Sequence, residues 1–168
     1  PAVDAKIRKR IADLGREITE DYQSNPLVLV GILKGSFIFM ADLIRHIDLP
    51  LTCDFLRVSS YESGTESSGA VRFEFHVTQP LKGKHVLLVE DIVDTGLTIN
   101  YLIENLKTRK PASLRVCSLL HKPSRTRVPV NIHYLGFKVP DEFVIGYGLD
   151  YAGQYRNLPY IAVLPTPK

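Results

Sequence analysis

One unit recurs along this chain: an unbroken apolar run too short for a helix, a polar turn, then a segment with helical spacing. LVLVGIL at Leu27–Leu33 is such a run, and because successive strand side chains point to opposite faces, an all-apolar strand must be covered on both sides, as in a parallel sheet. The turn Lys34-Gly35-Ser36 follows, and FIFMADLIRHI from Phe37 to Ile47 reads as a helix closed by Asp48 and Pro50. The unit returns with HVLLVE (His85–Glu90), a polar turn from Asp91 to Thr98, and a helix from Ile99 to Lys107 carrying Ile99, Leu102, Ile103 and Leu106 on one face. This alternation predicts an α/β fold with an open, mostly parallel sheet flanked by helices.

The other elements fit around that frame. Ile7, Ile11, Leu14, Ile18 and Tyr22 recur at spacings of three and four, so Asp4–Tyr22 is an amphipathic helix. Leu51–Ser59 and Leu114–Leu120 read as strands, Val71–Val77 alternates like a half-exposed one, and Phe143–Tyr147 and Tyr160–Leu164 give two short ones. SSYESGTESSG, from Ser59 to Gly69, has no apolar periodicity and predicts a long mobile loop of the functional kind. With 168 residues, no repeat and no linker, residues 1–168 are expected to form one domain, the usual unit being roughly 150 residues.

Composition excludes several classes. At 45% hydrophobic and 23% charged residues the chain is neither disordered nor fibrous. Its longest apolar stretch, near 27–33, falls well short of the roughly 18 residues of a membrane span. The first ten residues carry Asp4, Lys6, Arg8, Lys9 and Arg10 in place of a signal-peptide core, so a cytoplasmic protein without a membrane partner is expected. Cys53 and Cys117 each sit in a strand-like run and are expected to be buried packing residues, since two separated cysteines build no disulfide framework or CxxC site. A net charge of +3 suits anionic small substrates, and without a basic stripe interleaved with aromatics no nucleic-acid partner is expected.

In open parallel sheets ligands bind beyond the carboxyl ends of the strands. There VLLVEDIVDTGLT (Val86–Thr98) releases Glu90, Asp91 and Asp94 together and opens a helix with a Thr-Gly-x-Thr turn. Free backbone N–H groups, the hydroxyls of Thr95 and Thr98 and a positive dipole end form a phosphate cradle. Carboxylates beside a phosphate repel it unless a divalent cation or sugar hydroxyls intervene, so a sugar phosphate with Mg²⁺ meets both demands. The alternative is that Asp94 and Thr95 only cap the helix while Glu90 and Asp91 are solvated.

This segment resembles the phosphoribosyl pyrophosphate loop of type I phosphoribosyltransferases: four apolar residues, two acidic, two variable, then DTGxT. GILKGS (Gly31–Ser36), SSY (Ser59–Tyr61), SLLHKPSR (Ser118–Arg125) and VPDEFVIGYGLDYAGQYRNLPYI (Val139–Ile161) lie in family order and narrow the resemblance to bacterial-type hypoxanthine-guanine phosphoribosyltransferases. The resemblance implies a type I phosphoribosyltransferase-like sheet with a flexible flap and a small hood. It implies a purine salvage enzyme, Mg²⁺-dependent and homo-oligomeric (dimer or tetramer), that transfers a 5-phosphoribosyl group to N9 of hypoxanthine or guanine.

By that resemblance Glu90 and Asp91 meet the ribose hydroxyls, and Asp94, Thr95, Gly96, Leu97 and Thr98 hold the 5′-phosphate. Asp94 is the general acid/base at purine N7. Lys34, Gly35 and Arg156 bind pyrophosphate, the peptide joining Leu33 to Lys34 would be cis, and Ser36 stands where many relatives carry a second glycine. Lys122 donates to the 6-oxo group, Phe143 stacks on the purine, and the Val144 backbone meets the base edge. Asp150 completes the purine side and, with Glu90 and Asp91, the metal side. Ser60 and Tyr61 form the tip of the flap.

Taken alone these residues have plainer readings: Lys34-Gly35 an ordinary turn, Lys122 a solvated lysine, Phe143 and Val144 core, Asp150 and Arg156 routine loop charges, Arg125 and Arg127 loop decoration. Two rivals remain at this level. One is a non-catalytic sensor that keeps the phosphoribosyl pyrophosphate loop, and the other a receiver-type phosphorylation domain, which needs neither the DTGxT cradle nor a long flap.

Overall fold

A computed structural model describes residues 2–63 and 66–165, with the side chains of residues 2, 3 and 60–70 outside the description. Helix α1 (Ala2–Tyr22) leads into β1 (Leu27–Leu33) and α2 (Phe37–Ile44). Strands β2 (Leu51–Ser63) and β3 (Glu66–Phe75) follow, then β4 (His85–Val93), α3 (Leu97–Lys107), β5 (Ser113–His121) and β6 (Tyr134–Lys138). The main sheet has the order β3-β2-β1-β4-β5-β6, with β3 antiparallel to β2 and all other pairings parallel. The expected open, mostly parallel sheet is thus the observed one.

Its burial follows from strand alternation. Leu27 and Leu29 of β1 and Leu87 and Val89 of β4 face one way, joining Ile7, Ile11, Leu14 and Ile18 of α1 and Phe39 and Leu43 of α2. Val28, Val30, Val86 and Leu88 face the other way and meet Ile99, Leu102 and Leu106 of α3. The continuously apolar strands are therefore covered on both faces.

Several boundaries differ from the sequence expectation. Ser59–Gly69 is not an irregular loop: β2 runs on to Ser63 and β3 begins at Glu66, with Ser60 opposite Val71, Glu62 opposite Ser67 and Ser63 opposite Glu66. Backbone pairing makes this hairpin without help from an apolar pattern. Helix α2 ends at Ile44 rather than Ile47, because the amides of His46 and Ile47 close short turns onto Leu43 and Ile44 and Asp48 N–H donates to Thr19 Oγ1. Strand β4 continues through Val93, paired with His121, which shortens the polar turn to residues 94–96 and starts α3 at Leu97.

Strand β6 was not expected. Arg10 of α1 secures it, donating to the carbonyls of Leu135 and Gly136. The two short C-terminal strands are trimmed to β7 (Val144–Ile145) and β8 (Ala162–Val163), which pair antiparallel as a separate small sheet and form the hood. Cys117 is buried as expected, but Cys53 is exposed: it lies on β2 ahead of the stretch that β3 covers. None of the described helices is long and apolar enough to cross a membrane.

Candidate active site

The site is built where β1, β4 and β5 end. After β1 the chain turns through Lys34 and Gly35, and the peptide joining Leu33 to Lys34 is cis, as the resemblance implies. Gly35 is required by its neighbours: a Cβ there would strike the Asp91 carboxylate, while its carbonyl oxygen lies where a Cβ on Gly148 would be. The turn after β1 is thus clasped between Asp91 of β4 and Gly148 of the hood loop. Ser36 takes the place of a glycine without strain, at φ −90°, its buried hydroxyl donating to Ile32 O at 2.7 Å. Lys34 itself is exposed.

From the end of β4 into the start of α3, the residues from Glu90 to Ile99, Leu97 apart, line a cavity of about 180 Å³. Glu90 is 8% exposed and accepts the Asp91 amide at 3.0 Å. Burial, reinforced by the neighbouring Asp91 carboxylate, holds its carboxyl well above the usual range. Asp94, Thr95 and Gly96 make the turn, and Gly96 adopts φ +86° at the N-cap of α3, a conformation that favours glycine. A Cβ at Gly96 would also strike Val128 O. The Leu97 amide donates to Thr95 Oγ1 at 3.3 Å, a local turn just ahead of the Gly96 N-cap, and neither Thr95 nor Asp94 is the side-chain cap of α3 among the described residues. Thr98 lies one residue inside α3 with its side chain half-buried beside the cavity.

Lys122 follows β5 and is 8% exposed, not a solvated surface lysine. Its amide donates to Val93 O at 3.0 Å, which ties the tips of β5 and β4 together. Its ammonium is not among the solvent-excluded polar atoms left without a partner, of which Tyr22 OH is the one found among the described residues, so its stem is covered while the ammonium remains able to donate to a ligand.

Phe143, far from being core, is 44% exposed, and it meets Tyr151 edge to face with centroids 5.7 Å apart. Val144 is half-buried on β7. In the same loop Asp150 accepts from Gly153 N–H at 2.9 Å and pairs with Arg156 at 3.3 Å, while Arg156 donates to Gly148 O at 2.6 Å. Ser60 and Tyr61 lie on β2 near the hairpin end, with their side chains outside the described residues.

Two features escaped the sequence reading. Arg125 does not merely decorate its loop: its Nε donates to Asp94 Oδ1 at 2.6 Å. Tyr151, unremarkable in sequence, braces Phe143. A charge three residues beyond Lys122 and a tyrosine next to Asp150 were the available signals, but neither has a periodicity that singles it out.

The donor set suits a divalent cation. Asp91 presents a hard carboxylate oxygen over the Gly35 turn, Glu90 lines the same cavity, and Asp150 follows two residues after Gly148, which packs on Gly35. Among the described residues no three His, Cys, Asp or Glu side chains converge into a closed cage. Mg²⁺ needs none, since it is commonly bound by one or two carboxylates together with substrate phosphates and water.

Comparison with known proteins agrees with this layout. The family model for the phosphoribosyl transferase domain matches residues 3–152. The hypoxanthine phosphoribosyltransferase of Salmonella typhimurium is 49% identical over 160 residues, covering 94% of this chain and 90% of that protein. The hypoxanthine-guanine phosphoribosyltransferase of Bacillus subtilis is 47% identical over 161 residues, covering 96% and 89%. The crystal structure of a hypoxanthine-guanine phosphoribosyltransferase from Bacillus anthracis superposes with a TM-score of 0.94 at 42% identity, covering 96% of this chain and 95% of that one. The acidic strand end, the DTGLT turn and these full-length similarities lead to one conclusion: the chain belongs to the phosphoribosyltransferase family.

Proposed function

We propose that this chain is a purine salvage enzyme that transfers the 5-phosphoribosyl group of phosphoribosyl pyrophosphate to N9 of hypoxanthine or guanine, releasing pyrophosphate. The observation that carries this reading is the cavity of about 180 Å³ walled by Glu90, Asp91 and the Asp94–Thr98 turn. It offers carboxylate acceptors for ribose hydroxyls beside backbone donors for a phosphate. The similarity to enzymes named for hypoxanthine and guanine points to the acceptor base.

In this mechanism the Asp94–Thr98 amides and hydroxyls hold the 5′-phosphate, and Glu90 and Asp91 fix the ribose. Lys34, the Gly35 turn and Arg156 receive the pyrophosphate. Phe143 stacks on the purine, the Val144 backbone meets its edge, and the Lys122 ammonium donates to its 6-oxo oxygen. As the bond from C1′ to the pyrophosphate oxygen breaks and the N9–C1′ bond forms, Asp94 accepts the proton from N7. No covalent enzyme intermediate is required, so the protein's contribution is positioning and charge stabilisation. Mg²⁺ held by Asp91 and Asp150, with Glu90 close by, would neutralise pyrophosphate charge when bound.

Incubation with phosphoribosyl pyrophosphate, Mg²⁺ and either 6-oxopurine should yield the corresponding nucleotide and pyrophosphate in equal amounts. Absence of nucleotide with both bases would refute the reading.

A further inference from the structure

Resting on that reading, we infer that Arg125 is a positioning residue for the transfer, holding Asp94 by Oδ1 so that Oδ2 is the oxygen that meets the purine N7 proton. Arg125 Nε donates to Asp94 Oδ1 at 2.6 Å, and Oδ2 has no hydrogen-bond partner among the described residues. On the far side Arg125 Nη1 lies 3.6 Å from Asp141.

Partly exposed ion pairs are ordinarily worth little, because two long side chains must be ordered to form one contact. Here the two backbones are fixed relative to each other, so pairing orders the side chains alone and not the loops that carry them. Arg125 closes a single 3₁₀ turn (Pro123–Arg125), its own amide bonded to Lys122 O at 3.2 Å. The amides of Arg127 and Val128 both donate to Thr95 O, at 2.9 and 3.0 Å, and Lys122 N–H reaches Val93 O. Gly96 packs on Val128 O, closely enough to exclude a Cβ. The 122–128 loop is therefore latched to the Val93–Gly96 turn at several points, and the guanidinium is delivered to Asp94 by a fixed frame. One short loop would then present the base-reading ammonium and, three residues on, the group that orients the proton acceptor. Glu90 and Asp91 line the same cavity as Asp94, Arg125 pairs with it, and Asp141 lies behind Arg125.

The test is a double-mutant cycle of Arg125→Leu and Asp94→Asn, with kcat and both KM values measured with phosphoribosyl pyrophosphate and hypoxanthine, and Arg125→Lys as the conservative variant. Arg125→Leu should lower kcat about 10- to 100-fold, the cost of a misplaced catalytic group, with KM for phosphoribosyl pyrophosphate unchanged within about twofold. Arg125→Lys, which keeps the charge but not the fork, should recover part of the loss. In the Asp94→Asn background Arg125→Leu should change kcat less than about twofold, because its effect acts through Asp94.

An Arg125→Leu variant as fast as wild type, or an equal fractional loss in both backgrounds, would overturn the inference. Arg125→Gln repeats the comparison if Arg125→Leu melts early. An inactive wild type would overturn the assigned activity and this role with it. An active wild type with an insensitive Arg125 would overturn this role alone.

Discussion

Ionisation of Glu90 opposes folding of the ligand-free protein. Its folded-state pKa lies above the ordinary value, through burial first and the Asp91 carboxylate second, so its contribution to stability is present below the unfolded pKa and is lost as pH rises through the folded one. Glu90→Gln should therefore raise the Tm of the ligand-free protein at neutral pH by a few degrees, with the gap closing toward about pH 4; thermal melts of both proteins across that range measure it. A constant gap at every pH would assign the difference to packing. Asp94 makes a different prediction, since its proposed role is to accept a proton. Asp94→Asn should lower kcat about 10²- to 10⁴-fold, the usual worth of general acid–base catalysis, with KM for phosphoribosyl pyrophosphate little changed.

At the scale of elements, the hairpin of β2 and β3 depends on a clamp at its root. Asp54 on β2 accepts the amides of Phe55 at 2.8 Å, Thr78 at 3.1 Å and Gln79 at 3.2 Å, fastening the chain just after β3. Burial alone would raise its pKa, but these backbone donors outweigh it and bring the carboxyl below the usual range. Its contribution is thus present above the unfolded pKa and lost as pH falls through the folded one. Asp54→Ala should cost about 1–3 kcal/mol at neutral pH, read from urea denaturation, with the deficit shrinking in acid.

The same hairpin marks what sequence could not show. The runs Leu27–Leu33 and His85–Glu90 were legible because burial on both faces demands continuous apolar residues. The β2–β3 arms have no such demand, since partner-strand pairing supports them and leaves no periodic trace in SSYESGTESSG. Strand β6 was hidden for a similar reason: its fixation by Arg10 spans more than a hundred residues of sequence. The motif residues of the site were legible as a linear pattern, but the Arg125–Asp94 contact is a product of loop folding and was not.

For the molecule as a whole, the parallel sheet brings the carboxyl ends of its central strands β1, β4 and β5 to one end, so that the proposed site draws on residues from 34 to 156 without any single segment containing it. Because three carboxylates would crowd a polyphosphate, turnover should cease in excess EDTA and return when Mg²⁺ is restored; undiminished turnover after bound metal is removed would contradict the proposed mechanism. The central claim is that this end of the sheet reads a 6-oxopurine through Lys122, a largely covered lysine whose ammonium can only donate. Adenine presents an amine at the same position, so donor would face donor. Sites built around one hydrogen bond reject such analogues by as much as roughly 10⁴- to 10⁵-fold. The measurement is kcat/KM for hypoxanthine and for adenine, on wild type and Lys122→Ala. The account predicts negligible adenine use by wild type and a collapse of selectivity in the variant through loss of the hypoxanthine rate. Adenine turnover within tenfold of hypoxanthine, or a Lys122→Ala variant that keeps its selectivity, would contradict it.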